Sequence, residues 1–193
     1  MTLALSTGAW VGVVVGGIVL LWAIWTFNGF IRLRNRVKEA FSGIDVQLKR
    51  RHDLIPNLVK VVKAYATHEH DTLEEVIAAR SAAADAQELG DRQQRENGLS
   101  RSLDKLIALV EQYPDLKADK NFRQLHADLV EIENDLQYSR RYYNGTVRDY
   151  NTRIQQFPAL VIAGLMAMRT REFFEIEDAS ERHALTISLD DKS

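Results

Sequence analysis

Residues 10–30 read WVGVVVGGIVLLWAIWTFNGF, and the first 31 residues contain no Asp, Glu, Lys, Arg or His. About 20 apolar residues in a helix span the roughly 30 Å hydrocarbon layer of a bilayer. A helix suits that layer because it satisfies its backbone hydrogen bonds within the segment. The stretch therefore predicts a transmembrane helix over residues 9–31, preceded by a short outer N-terminus at residues 1–8.

A cleaved signal peptide is the alternative interpretation of this stretch. Such a peptide has a positively charged start, an apolar core of about 7–15 residues and small residues at the cleavage site. Here the start carries no Lys or Arg, the apolar run is longer, and its end is aromatic at Trp22, Trp25 and Phe27. The pattern favours a span that is retained.

Basic residues follow the span on alternate positions. We call Arg32, Arg34, Arg36 and Lys38 the basic cluster. Lys and Arg close to a span favour the cytoplasmic side, and each contributes about 1 kcal/mol of attraction to anionic headgroups. We therefore expect a single-pass protein of the cell (inner) membrane, with its N-terminus outside and its C-terminal domain cytoplasmic. The absence of cysteine agrees with a reducing compartment.

Composition favours an all-α fold for the remaining part of the chain. The protein has 193 residues and a formal charge of −2, so about 160 residues remain beyond the span, enough for one domain. Strong helix formers dominate them. The near-neutral charge does not fit a nucleic-acid-binding domain, which is strongly basic. An alternating pattern appears only late, where residues 184–189 could form a short strand against a partner.

Apolar residues at three- and four-residue spacing predict three long helices. The first continues from the span to about residue 66. The second begins at a capping-box pattern over residues 72–75 and ends near residue 113, although residues 85–98 carry few large apolar side chains and are predicted to be weakly packed or locally broken. The third covers residues 122–157. Similar lengths and short turns favour an antiparallel bundle of three long helices over residues 32–157.

Pro56 leaves an alternative open within the first helix, because proline removes a backbone hydrogen bond and clashes with the preceding turn. Either the helix kinks there, or Asp53 caps a new helix and the bundle has four helices. The apolar stripe keeps its phase across Pro56, which favours the kink.

The position of a short apolar helix at residues 158–174 depends on that choice. Its apolar run PALVIAGLMAM (residues 158–168) lies at the far tip of a three-helix bundle, but returns to the bilayer surface in a four-helix bundle. It is either a buried terminal turn or a contact with the membrane or another copy. Residues 175–193 form the C-terminal tail.

Several motifs occur in order between about residues 30 and 175. They are DLIPNLV at residues 53–59, KAY at 63–65, YPDL at 113–116, RYYN at 141–144 and FP at 157–158. In these motifs the chain resembles the LemA family of bacterial membrane proteins. The resemblance implies one N-terminal anchor followed by a helical bundle, and it implies no established enzymatic activity. The biochemical role stays open.

The sequence predicts no catalytic residue and no cofactor. Cysteine chemistry is impossible, and phosphate-binding loops, G-x-S-x-G elbows and Glu-x-x-His pairs are missing. One dense group of metal-ligand types occurs, at His68, His70 and Asp71. It is either a solvated polar turn or a divalent-metal site completed by His52 or by a carboxylate of another chain.

Two patterns point to self-association. Gly8, Gly12 and Gly16 are four residues apart, and small residues at this spacing let two spans approach closely. Asn28 and Asn35 are seven residues apart, as are Asn144 and Asn151. Buried Asn at such a spacing fixes register between helices, although polar residues at the edge of a buried face give the same pattern.

We therefore expect a non-enzymatic, membrane-anchored helical scaffold or adaptor that associates with itself. Its expected partners are the lipid bilayer, further copies of the chain and other membrane proteins, and no nucleic acid. An accessory subunit of a membrane protease or transporter complex is one alternative. A metal-binding protein that uses the turn at residues 68–71 is another.

Overall fold

The computed structural model describes residues 7–174, which form six helices and no strand. The all-α prediction is confirmed. The predicted strand at residues 184–189 and the tail at 175–193 lie outside the described residues, as do residues 1–6. The helices are α1 (Thr7–Tyr65), α2 (His70–Asp85), α3 (Leu89–Val110), α4 (Pro114–Ala118), α5 (Lys120–Gln155) and α6 (Ala159–Leu165).

Helix α1 runs without interruption from the predicted span through Pro56 to Tyr65. The proline is exposed and lies within the helix. The unbroken phase of the apolar stripe correctly predicted continuity, and the alternative in which the chain reverses at Pro56 is wrong.

The second predicted helix is instead a hairpin of two helices. α2 ends at Asp85, Ala86 is extended (φ −71°, ψ 124°), and α3 begins at Leu89. The ammonium group of Lys105 on α3 lies 2.6 Å from the Glu75 carboxylate on α2. The predicted break is therefore confirmed, but the prediction of one long helix is wrong, because the chain folds back on itself at the break.

The chain divides into two compact units. The bundle unit comprises residues 50–131 and residue 174. Four helical segments pack together within it: the end of α1, α2, α3 and the start of α5. Their buried apolar side chains form one core, which includes Ile55 and Val62, Leu73 and Val76, Leu99 and Leu106, and Phe122 and Leu129. The fourth helix thus arises from the α2–α3 hairpin and not from Pro56.

Among the described residues, the span unit comprises 7–49 and 132–173. Here α5 runs antiparallel to α1: the rings of Phe41 and Tyr143 are 5.7 Å apart, and the Arg153 guanidinium lies 5.9 Å from the centre of a Trp25 ring. The end of α5 therefore lies beside the end of the apolar stretch. The placement of residues 158–168 at a far tip is wrong, because the chain returns toward the span.

The Asp119 side chain caps the start of α5, and this cap makes the stability of the fold depend on pH. The backbone N–H of Phe122 donates to Asp119 Oδ1 (2.9 Å), and the Tyr65 hydroxyl donates to Oδ2 (3.1 Å). The Phe122 amide, with Tyr65 adding to it, lowers the pKa of Asp119 below its usual value. A carboxyl group with a lowered pKa stabilises the fold above its unfolded pKa, and that contribution is lost as the pH falls through the folded pKa.

We expect Asp119→Asn to keep the cap, since Asn caps helices as well as Asp does, but to lose this acid sensitivity. Thermal melts followed by circular dichroism between about pH 7 and pH 3 should show a smaller fall in melting temperature than the wild type shows. Asp119→Ala should lower the melting temperature at neutral pH. An Asn variant with the wild-type pH slope would contradict the assignment.

Candidate functional site

The predicted span exposes large apolar side chains on its surface. Trp10, Val14, Leu21 and Trp25 are each more than half exposed. Burial on α1 begins only near Thr26 and Phe30. Among the described helices, α1 alone is long and apolar enough to cross a membrane. A contiguous apolar surface of this size marks a contact with a membrane or a partner.

The glycines of the span lie on an open face. A methyl group added at Gly8, Gly12 or Gly16 would meet no atom of the described chain within 4 Å. The structure therefore leaves room for a second helix along this face. Close association through these glycines stays a prediction.

The basic cluster is exposed on α1 immediately after the span, at Arg32, Arg34, Arg36 and Lys38. Its members point to two faces, since residues four apart on a helix share a face. Arg34 lines a cavity of about 390 Å³ together with Ile31, Tyr150 and residues 166–171. We call residues 166–174 the return segment. Sequence analysis did not associate its Arg169 and Arg171 with Arg34.

The return segment is directed by the end of α6. Met168 N–H donates to Ala163 O and Ala167 N–H donates to Gly164 O, each at 3.0 Å. Ala167 has a φ of 48°. This is the Schellman arrangement, in which a left-handed residue reverses the chain after a helix. It turns the backbone so that Arg169 and Arg171 line the cavity.

Asn151 holds the return segment in place. Its side-chain Nδ2 donates to Arg171 O (2.9 Å), and its Oδ1 accepts the Arg171 N–H (2.8 Å). The Tyr143 hydroxyl donates to Glu172 O (3.0 Å). Sequence analysis predicted that Asn151 fixes register between helices. In the structure its amide bonds to the backbone of Arg171 in the same chain. A pairing across 20 residues has no local sequence signal.

The other asparagines of the predicted set differ in exposure. Asn28 and Asn35 are exposed on α1, and Asn144 is half-buried on α5. Their role in fixing register between copies, like that of Asn151, stays a prediction.

The bundle unit contains a buried polar network that sequence analysis missed. Glu96 on α3 is fully buried, and its carboxylate lies 2.8 Å from His52 Nε2 and 3.4 Å from Arg51 Nη1. Arg51 also donates to the Ser100 hydroxyl (2.8 Å), and Arg80 donates to the His52 carbonyl (2.7 Å). Buried charges persist only where they are paired and hydrogen-bonded. The network therefore fixes how α1, α2 and α3 pack.

The structure does not gather a metal site at the turn between α1 and α2. His68, His70 and Asp71 are all exposed. Within residues 7–174, no three His, Asp or Glu side chains converge as metal ligands would. His52, the proposed additional ligand, binds Glu96 instead.

Glu69, in the middle of this turn, has a structural contact. Its Oε1 accepts a hydrogen bond from the Tyr113 hydroxyl (3.1 Å), and this bond raises the pKa of Tyr113 above its usual value. The polar turn is thus tied to Tyr113, the residue that precedes α4.

An exposed apolar helix that continues without a break into helical bundles defines a class of membrane-anchored helical proteins. The family model described as "LemA family" matches residues 40–189, and the chain belongs to this family. The resemblance stated from the motifs is thereby confirmed.

Relatives with curated names agree with this assignment. The chain is 23% identical to magnetosome protein MamQ 2 of Paramagnetospirillum magneticum, over 84% of this chain and 70% of the relative. It is also 23% identical to magnetosome protein MamQ of Magnetospirillum gryphiswaldense, over 83% of this chain and 68% of the relative. Protein LemA of Metamycoplasma hominis is 25% identical over 67% of this chain and 60% of the relative. None of these names describes an enzyme.

The buried network predicts a large difference between two glutamates of the bundle unit. Glu96→Ala should lower the free energy of unfolding by about 3 kcal/mol, because it removes the carboxylate that Arg51 and His52 face in the interior. Glu75→Ala should cost less than about 1 kcal/mol, since its pair with Lys105 is exposed. Denaturant unfolding of the detergent-solubilised protein measures both changes. Equal, small losses would contradict a stabilising role for the network.

Proposed function

We propose that this protein is a non-enzymatic, membrane-anchored helical scaffold or adaptor that associates with itself. The observation that carries the proposal is the continuity of α1. One helix holds the exposed apolar surface and then supplies buried core residues to the span unit, such as Ile44, and to the bundle unit, such as Ile55. The anchor and the domain are therefore joined without a linker.

The basic cluster supports the proposed orientation in the membrane. Arg32, Arg34, Arg36 and Lys38 lie just past the apolar stretch and are exposed. Positively charged residues beside a span are retained on the cytoplasmic side. We therefore place the helical units in the cytoplasm, with the N-terminus outside the cell membrane.

The non-catalytic part of the proposal is supported by what the described residues hold. The buried Glu96 carboxylate contacts Arg51 and His52, so this charged cluster suits packing more than catalysis. The relatives' names, magnetosome protein and LemA, describe no reaction.

Self-association is supported by the open glycine face of the span. Lipid provides no hydrophobic drive for helices to associate, so close packing at small residues supplies the attraction. Gly8, Gly12 and Gly16 stand on one face, and the described chain leaves that face uncovered. A second copy of α1 fits there.

We expect Gly12→Ile to abolish crosslinked oligomers in native membranes, because the branched side chain keeps two helices apart. Gly17→Ile is the matched control, since it adds the same bulk one position away from the glycine face, at a site that is equally open. Chemical crosslinking followed by gel analysis, with native mass spectrometry in detergent, reports both. Oligomers that survive Gly12→Ile as they survive Gly17→Ile would contradict association through this face.

A further inference from the structure

We propose that α6 and the residues that follow it, in the span unit, form a second membrane contact, which binds anionic phospholipids of the leaflet at which the apolar stretch of α1 ends. In this assignment the apolar side chains of α6 enter the lipid. Arg34, Arg169 and Arg171, around the adjacent cavity, bind the headgroup phosphate. The inference rests on the membrane anchoring proposed above.

The side chains in and next to α6 differ in exposure according to their size. Phe157 and Leu165 are more than four-fifths exposed, and Val161 is more than half exposed. The residues that α6 buries are the small ones, Ala159 and Ala163. Most of the large apolar side chains of α6, those of Leu160, Val161 and Leu165, thus face away from the protein, and Ile162 is half-buried. With seven residues the helix is far too short to span a bilayer, but an interfacial helix needs only an apolar face.

The contacts of the span unit bring α6 to the depth at which the apolar stretch of α1 ends. Arg153, at the end of α5, lies over Trp25, which belongs to the apolar stretch of α1. Ile31, the last uncharged residue before the basic cluster, lines the same cavity as the return segment. When residues 10–30 occupy the hydrocarbon, α6 lies level with their end. Interfacial helices bury their apolar face about 5–10 Å into this boundary.

The two units of the chain carry opposite net charges. Within the described residues, the span unit holds eleven Lys and Arg against six Asp and Glu, a formal charge of +5. In the bundle unit, residues 50–131 hold twelve against fifteen, a formal charge of −3. The excess of positive charge therefore belongs to the unit that carries the span. An anionic lipid surface attracts such a patch.

The cavity is lined by residue types that bind phosphate. Arg34, Arg169 and Arg171 line it, and Tyr150 and Thr170 complete its polar wall. Guanidinium groups bind phosphate oxygens through paired N–H donors. The two hydrogen bonds between Asn151 and the Arg171 backbone hold the segment in advance, which reduces the ordering required on binding.

Continuity favours lipid over a second copy of the chain as the occupant. The exposed apolar face of α6 adjoins the end of the span, so one bilayer covers both surfaces. A protein partner would have to accept three arginines beside that apolar face. A phospholipid supplies both halves, an acyl chain and a phosphate.

The natural chain has no cysteine, so a single introduced cysteine can report depth. In full-length protein, Leu165→Cys carries an NBD fluorophore, and the protein is reconstituted into phosphatidylcholine vesicles with or without phosphatidylglycerol. We expect a blue-shifted emission and quenching by lipids with a nitroxide on the acyl chain. Tyr138→Cys, on an exposed position of α5, is the matched control and should show neither.

Val14→Cys, in the exposed part of the span, separates this inference from the proposed function. If the label at position 14 is quenched and the label at 165 is not, only the α6 contact is wrong. If position 14 is not quenched, the membrane anchoring itself fails. A label at 165 that escapes lipid quenching, with Leu165→Cys forming disulfide dimers, would assign the face to a second copy and overturn the proposal.

The arginines are tested with headgroup-specific quenchers in the same vesicles. Nitroxide phosphatidylglycerol should quench position 165 several-fold more strongly than nitroxide phosphatidylcholine. Arg34→Gln/Arg169→Gln/Arg171→Gln should abolish that preference, whereas Arg141→Gln/Arg148→Gln should keep it. Equal quenching by both lipids in the wild type would overturn the headgroup site. Loss of the preference on adding inorganic phosphate would assign the cavity to free phosphate and not to lipid.

Discussion

The structure depends on one constraint, which is the cost of leaving the apolar surface of α1 in water. From Trp10 to Leu21 the large apolar side chains are exposed on α1. Burying apolar surface gains about 25 cal/mol for each Å² removed from water, so a helix of this composition partitions into lipid. Because α1 continues through Pro56 without a break, each unit contains part of the helix that carries the apolar stretch.

The antiparallel packing of α5 on α1 decides which residues lie beside the end of the apolar stretch. The contacts between Phe41 and Tyr143 and between Trp25 and Arg153 bring the second half of α5 back along α1. The chain then turns at α6 and is held by Asn151. Residues more than 100 positions apart in the sequence therefore meet near the end of the apolar stretch. The lipid-binding surface that we propose includes residues from both parts of the sequence.

Patterns within one helix were readable from the sequence, whereas meetings between distant segments were not. Composition predicted the long apolar helix and the all-α fold, and the phase of the apolar stripe predicted continuity through Pro56. The break between α2 and α3 was predicted, but the reversal of the chain was not, because residues 86–88 (AQE) include no glycine or proline. Glu96 has an ordinary helical context, and its importance comes from Arg51 and His52, more than 40 residues away.

The central claim is that α1 resides in the bilayer, and alkaline carbonate extraction of isolated membranes tests it most directly. High pH opens membranes into sheets and removes proteins held by charge, such as those bound only through a basic patch. The account predicts that the full-length chain stays in the membrane pellet. Release into the supernatant would contradict it, because a chain held only by its arginines has no helix in the lipid.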